Sequence, residues 1–302
     1  MKKMNVSFEG ITDPTGYLFS LVKCLSAALR CGGYADFAED IIASSGFAFR
    51  MWAAPDLCPS ATSIWEFSKQ KPWLENGGLT CECAVRLWDE EAVEEARRLA
   101  AVEIIKRSID RGMAAVVWDI SGCEWGLITG FDEETSTFLT LKINGIEDRI
   151  PYEKLGRLEL PILSVLSVTG STGKPKERIV ADTKKLAASH LRGEEWCENA
   201  HGLAAYDALI QFVLDKYTVA FSWNLEYYLG TYAALKWYAW RFFDKYGETA
   251  LAGLYRRIYE SWKAAFDIKN SRDASDEQTR KDIISLLTAA YESEKLAAAV
   301  MG

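Results

Sequence analysis

Apolar side chains at Leu18, Leu21, Val22, Leu25, Ala28 and Leu29 recur at helical spacing. They predict a helix over residues 17–30 that is apolar on most sides and therefore buried. Thr12, Asp13 and Thr15 offer capping groups ahead of it, and Cys31-Gly32-Gly33 ends it. A second helix is predicted from about Asp36 through Phe37, Ile41 and Ile42, and Gly46–Trp52 reads as a turn into an apolar, partly extended segment. Pro55, Pro59, Pro72, Gly77 and Gly78 predict loops around one short helix near Ile64 to Lys69.

The pattern then changes period. Leu79 to Val85 alternates as a strand does, and Glu90 to Arg111 returns to helical spacing. Val93, Ala96, Leu99, Val102, Ile105 and Ile109 share its predicted buried face, with acids leading and bases following as the helix dipole favours. Gly112 closes it, and strands are predicted at about 114–119, 124–131, 136–143, 146–151 and 163–169. Phe131-Asp132-Glu133-Glu134 is read as the turn between the second and third of these. Asn144-Gly145 is a strong hairpin signal between the next pair.

Ser171-Thr172-Gly173-Lys174-Pro175-Lys176 is polar and rich in breakers, and beyond it almost everything has helical period. A boundary near 172 divides residues 1–172 from an all-α region, 173–302. Helices are predicted there at about 176–191, 199–217, 221–246, 248–268 and 275–300, with Ser275 as a cap for the last. Aromatic residues surround the 221–246 helix on all sides, among them Trp223, Tyr227, Tyr228, Trp237 and Trp240. Such a helix is either packed on both flanks or offers a wall to a flat or apolar ligand, with Trp223 and Tyr227 as the candidate contacts.

Composition narrows the function classes. The net charge of −8 argues against a broad nucleic-acid-binding face, and no run of eighteen apolar residues exists to span a membrane. The N-terminal stretch lacks a signal-peptide core, and seven cysteines at irregular spacing in a 302-residue chain favour free thiols, so a cytoplasmic location is expected. Cys81 and Cys83 fall on one face of a strand, but the two histidines, His190 and His201, lie far along the chain, so no metal or other cofactor is expected.

One stretch raises the functional question. Cys123-Glu124-Trp125-Gly126-Leu127-Ile128-Thr129-Gly130-Phe131-Asp132 reads as a strand with a charged residue at its start. Glu124 is either a solvated strand end, a partner for an arginine such as Arg50, or an acid facing a pocket. Together with the buried N-terminal helix, this stretch resembles the papain-like fold of bacteriocin-leader cysteine peptidases. More closely it is similar to the family of the butirosin-biosynthesis acyl-transfer protein, whose members pair such a domain with a helical one. The resemblance covers roughly residues 10–170, and the helical half matches in outline through His201-Gly202-Leu203-Ala204-Ala205-Tyr206.

The resemblance implies where a catalytic centre would stand. Counting back from Leu29-Arg30-Cys31-Gly32-Gly33 places the family's nucleophilic cysteine at Ser20. The family's histidine, which opens a strand of the type His-Trp-x-x-Ile-x-Gly-Tyr-Asp, falls on Glu124. Its third group falls near Leu141 to Asn144, where Asn144 is chemically closest, and no glutamine precedes Gln70 to serve an oxyanion hole. Cys24, one turn beyond Ser20, is a displaced nucleophile or an inert buried thiol.

A thiolate nucleophile depends on a neighbouring imidazolium, and residues 1–172 contain no histidine. The expected architecture is therefore α+β: a papain-like domain with an antiparallel sheet and a buried N-terminal helix, followed by an all-α domain. The expected function is a catalytically degenerate peptidase- or acyltransferase-like protein that binds a small molecule, a peptide or a carrier-linked acyl group in an interdomain cleft, with Arg50, Trp125, Trp223 and Tyr227 as ligand contacts. The alternatives are an active acyltransferase or hydrolase using Ser20 or Cys24 with Glu124, and a homodimeric interaction module.

Overall fold

The computed structural model describes residues 1–62, 66–195 and 197–302. The chain is a mixed α/β protein with an antiparallel sheet and a helical C-terminal region. It forms two compact units. The first takes Met1–Thr12, Ser20–Ile41 and Trp65–Pro175; the second takes Asp13–Phe19, Ile42–Ile64 and Lys176–Gly302. Among the described residues, no helix is long and apolar enough to cross a membrane.

The N-terminal half of the chain contributes strand β1 (Lys2–Lys3), helices α1 (Ser20–Cys31), α2 (Ala35–Ala38) and α3 (Asp40–Ser44), and the short strand β2 (Trp52–Ala53). Helix α4 (Gln70–Asn76), strand β3 (Leu79–Arg86), helix α5 (Glu94–Asp110) and strands β4 (Ala115–Val117), β5 (Gly126–Asp132), β6 (Thr137–Leu141), β7 (Glu147–Pro151) and β8 (Leu163–Ser171) follow. The sheet of the first unit runs β3-β8-β4-β5-β6-β7, all antiparallel, and β1 pairs with the far end of β5.

Period-two alternation sends alternate residues to opposite faces of this sheet. Ala115, Val117, Ile128, Phe138 and Val165 form one core with Ala101, Val102, Ile105 and Ile109 of α5. Val116, Leu127 and Leu166, one residue out of phase and mutually paired, are also buried, and α1 packs against β4 and β5. Gly130 is required where β1 joins: a Cβ there would sit 2.4 Å from the carbonyl oxygen of Lys2.

Several boundaries differ from the sequence reading. Helix α1 begins at Ser20 rather than residue 17, because Asp13 Oδ1 accepts the N–H groups of Gly16 and Leu18 and caps a turn ahead of the helix. The predicted second helix is two short ones, α2 and α3. The turn after β5 lies at 133–136 rather than 131–134, since Phe131 and Asp132 still pair with Phe138 and Thr137. The buried face of α5 is set by Arg98, Ala101, Val102, Ile105, Ser108 and Ile109; Val93 and Leu99 are exposed. The short helix expected from Ile64 begins outside the described residues; its described part is a single turn at Phe67–Lys69 leading into α4.

The second unit is built on α6 (Lys176–Leu191), strand β9 (Ala200–His201), α7 (Ala204–Gln211), α8 (Ser222–Lys245), α9 (Thr249–Ser271) and α10 (Glu277–Met301). Helix α9 packs against both α8 and α10, and β2 pairs with β9. The cap of α10 is Asp276, not Ser275: its carboxylate accepts the Thr279 N–H at 2.8 Å. Tyr228 and Tyr232 of α8 are buried, and their hydroxyls donate to the carbonyls of Cys58 and Trp52 at 3.0 and 2.6 Å. Those bonds tie Trp52 and Cys58 to α8 within the second unit.

Candidate functional site

Within the first unit, Ser20 is the opening residue of α1 and is buried. A first-turn position places its hydroxyl among backbone N–H groups that have no intrahelical acceptor and at the positive end of the helix dipole. Glu124 lies two residues ahead of β5, in the loop that leaves β4. The Ser20 Oγ donates a hydrogen bond to Glu124 Oε2. The Trp125 N–H donates to the same Oγ at 3.3 Å. Two positions 104 residues apart in sequence therefore meet at the mouth of α1.

The loop that delivers Glu124 is tightly tied. Asp119, Gly122 and Cys123 all have left-handed backbones, with φ of 67°, 72° and 53°. Asp119 is buried, and its two carboxylate oxygens accept the N–H groups of Cys123 at 2.7 Å and Leu160 at 3.0 Å. Ser121 Oγ donates to the Trp125 carbonyl at 3.2 Å and accepts the Ile143 N–H at 2.9 Å. The Ser121 N–H reaches the Glu124 carbonyl at 3.3 Å. The sequence reading passed over Asp119 and Ser121. The available signal was an Asp-x-Ser-Gly run just before the charged strand start, in a segment whose neighbours alternate as strands.

Trp125 is fully buried against Phe67 and Trp118, at ring distances of 5.3 and 5.4 Å, and its Nε1 has no hydrogen-bond partner among the described residues. Cys24 is fully buried; burial first, and the carboxylate of Glu124 second, push its thiol well above the usual range. At neutral pH it is a protonated thiol and a poor nucleophile. Burial followed by Asp119 and Glu159 also pushes the Cys123 thiol up. The donor atoms of Asp119, Cys123 and Glu159 lie within 4.8 Å of one another, but both Asp119 oxygens are committed to backbone N–H groups.

Asn144 stays with its own turn, where Oδ1 accepts the Ile146 N–H at 3.1 Å, and it is exposed. In the second unit, Trp223 is exposed and packs on the half-buried Tyr227 at 5.5 Å. Tyr227 in turn meets the edge of Tyr17 at 5.9 Å.

Arg50 is fully buried in the second unit. Its Nε and Nη2 donate to the two oxygens of Glu195 at 2.9 and 2.8 Å. Glu195 Oε2 also accepts from His190 Nδ1 at 3.0 Å, while His190 Nε2 accepts the Met51 N–H at 2.8 Å. That pair of bonds assigns the neutral Nδ1–H tautomer. Burial holds the His190 imidazole down at about 4. Burial alone would raise Glu195, but hydrogen bonds from His190 and Arg50 hold it at about 2. His201 bonds locally, to the carbonyls of Asn199 and Gly193.

Compared with protein-family models the chain matches none, and comparison with curated proteins likewise finds no match.

Proposed function

We propose that the chain is a papain-like protein whose catalytic pair has been replaced, and that it binds a small molecule, a peptide or a carrier-linked acyl group at the mouth of α1. The observation that carries this reading is the Ser20–Glu124 hydrogen bond at the helix N-terminus. In a cysteine peptidase that place holds a thiolate and an imidazolium, which are together neutral. Here it holds a hydroxyl and a carboxyl group. An ionised carboxylate leaves the pair with a negative charge, which opposes the oxyanion of acyl transfer. It favours ligand groups that are cationic or donate hydrogen bonds.

A second reading has a specific observation behind it. The Ser20 hydroxyl points its proton at Glu124, the direction a general base would need. In that reading Glu124 takes the proton as Oγ attacks a thioester carbonyl, the C–S bond breaks to leave the acyl group on Oγ, and Glu124 returns the proton to the departing thiolate. An ordinary carboxylate is a weak base for a serine hydroxyl, so this chemistry requires an environment that raises the basicity of Glu124.

One experiment separates the two. The protein is treated with a fluorophosphonate and its Ser20 peptide is read by mass spectrometry. Melting curves are collected with S-acetylpantetheine and with a short peptide. The binding reading predicts an unmodified Ser20 and a raised melting temperature that Glu124→Lys removes. A Ser20 adduct lost in Glu124→Gln, with no thermal shift, would replace it by the enzyme reading.

A further inference from the structure

We infer that Asp119 is a positioning residue for Glu124: its buried carboxylate holds the 119–124 loop in the one conformation that sets Glu124 on Ser20. This rests on the reading of Ser20 and Glu124 as a site. Asp119 and Cys123 both have left-handed backbones only four positions apart; Asp tolerates that form through local side-chain bonds, but Cys123 carries a steric cost that a relaxed loop would shed. Something must over-determine the strained form.

Asp119 has the geometry to do so. It is 4% exposed and acts only as an acceptor. One oxygen closes the loop on itself at the Cys123 N–H, immediately before Glu124, and the other pins that loop to residue 160 through the Leu160 N–H. A bond from an ionised side chain is stronger than a neutral one, and here two converge from one group. Losing the bond to the Cys123 N–H frees Cys123 to return to ordinary φ, which re-aims the residue after it. Losing the bond to the Leu160 N–H frees the Asp119 carboxylate that makes it. Ser121, in the middle of the same loop, ties it to Trp125 and Ile143, while Asp119 closes its two ends on each other.

The test is a double-mutant cycle performed in two backgrounds. Ser20→Ala, Glu124→Ala and the double variant are compared by urea unfolding, first with Asp119 present and then in Asp119→Asn. Asn keeps one acceptor but turns an N–H₂ toward the second backbone N–H. With Asp119 in place, the Ser20–Glu124 coupling should change the unfolding equilibrium constant by about tenfold or more, as a charged hydrogen bond does. In Asp119→Asn it should fall below about threefold. Should that variant not fold, Asp119→Ser supplies the second background. Equal coupling in both backgrounds would overturn the positioning role and leave the site reading intact. No coupling even with Asp119 present would remove the site reading, and this inference with it.

Discussion

Lys236 and Glu294 meet at 2.6 Å inside the helical unit with neither side chain reaching solvent. Burial pulls the Lys236 ammonium down, and the carboxylate opposes that shift. Tyr206 donates to Glu294 Oε2 at 2.6 Å, Tyr255 donates to Oε1 at 3.3 Å, and Trp262 donates to the Tyr206 hydroxyl at 2.9 Å. The network joins α7, α8, α9 and α10 through one carboxylate.

Removing one partner leaves an uncompensated charge in the core. Lys236→Met should therefore destabilise the protein by about 3–5 kcal/mol in urea unfolding. The double variant Lys236→Met, Glu294→Met should recover part of that loss. Recovery is incomplete because the Tyr206 and Tyr255 hydroxyls then lack their acceptor.

Acid should weaken the second unit through His190. Its pKa falls from an ordinary 6.5 to about 4 on folding, so the unfolded chain takes the proton first. The associated stability is fully present above pH 6.5 and is lost as pH falls from 6.5 to 4, by about 3 kcal/mol in total. Glu195, depressed from 4.5 to about 2, adds loss in the same direction below pH 4.5. Urea unfolding at a series of pH values should show this slope, and His190→Gln should flatten the portion between 6.5 and 4.

Gly130→Ala should detach β1. The added methyl would lie 2.4 Å from the Lys2 carbonyl and 2.9 Å from Leu139 Cδ1, and backbone cannot retreat as a flexible side chain does. The expected cost is about 1–3 kcal/mol. Hydrogen exchange should speed up at the Met4 amide, which bonds the Thr129 carbonyl at 2.8 Å.

Installing the cysteine–histidine pair of the resembled family tests the proposed reading of the scaffold. Ser20→Cys alone places a thiol beside a carboxylate, which disfavours the thiolate. Ser20→Cys combined with Glu124→His places it beside an imidazole at a helix N-terminus, which favours it. Alkylation of the introduced thiol by iodoacetamide at neutral pH, followed by peptide mass spectrometry, should be about tenfold faster in the double variant or more. Equal rates would argue that the two positions do not form a papain-like pair.

Much of the secondary structure was legible because alternation and helical spacing are local properties. The strands after α5, the Asn144-Gly145 hairpin and the long C-terminal helices follow from side chains a few residues apart. Leu99 shows the limit. Val102, Ile105 and Ile109 of the expected face are buried, but Leu99 falls off the stripe, whose first positions are Arg98 and Ala101.

By itself the sequence determined a buried N-terminal helix, an antiparallel sheet and a helical C-terminal region, since each depends on which side chains can leave water together. It also aligned Ser20 with Glu124 through a family resemblance. Only the tertiary structure decided that these two share a hydrogen bond across 104 residues and that Arg50 turns to Glu195 across 145. It alone showed that Asp119 ties down the loop before β5. A polar group's partner is chosen by what burial brings within about 3 Å of it. That choice is made between segments far apart in the chain, where no local period reaches.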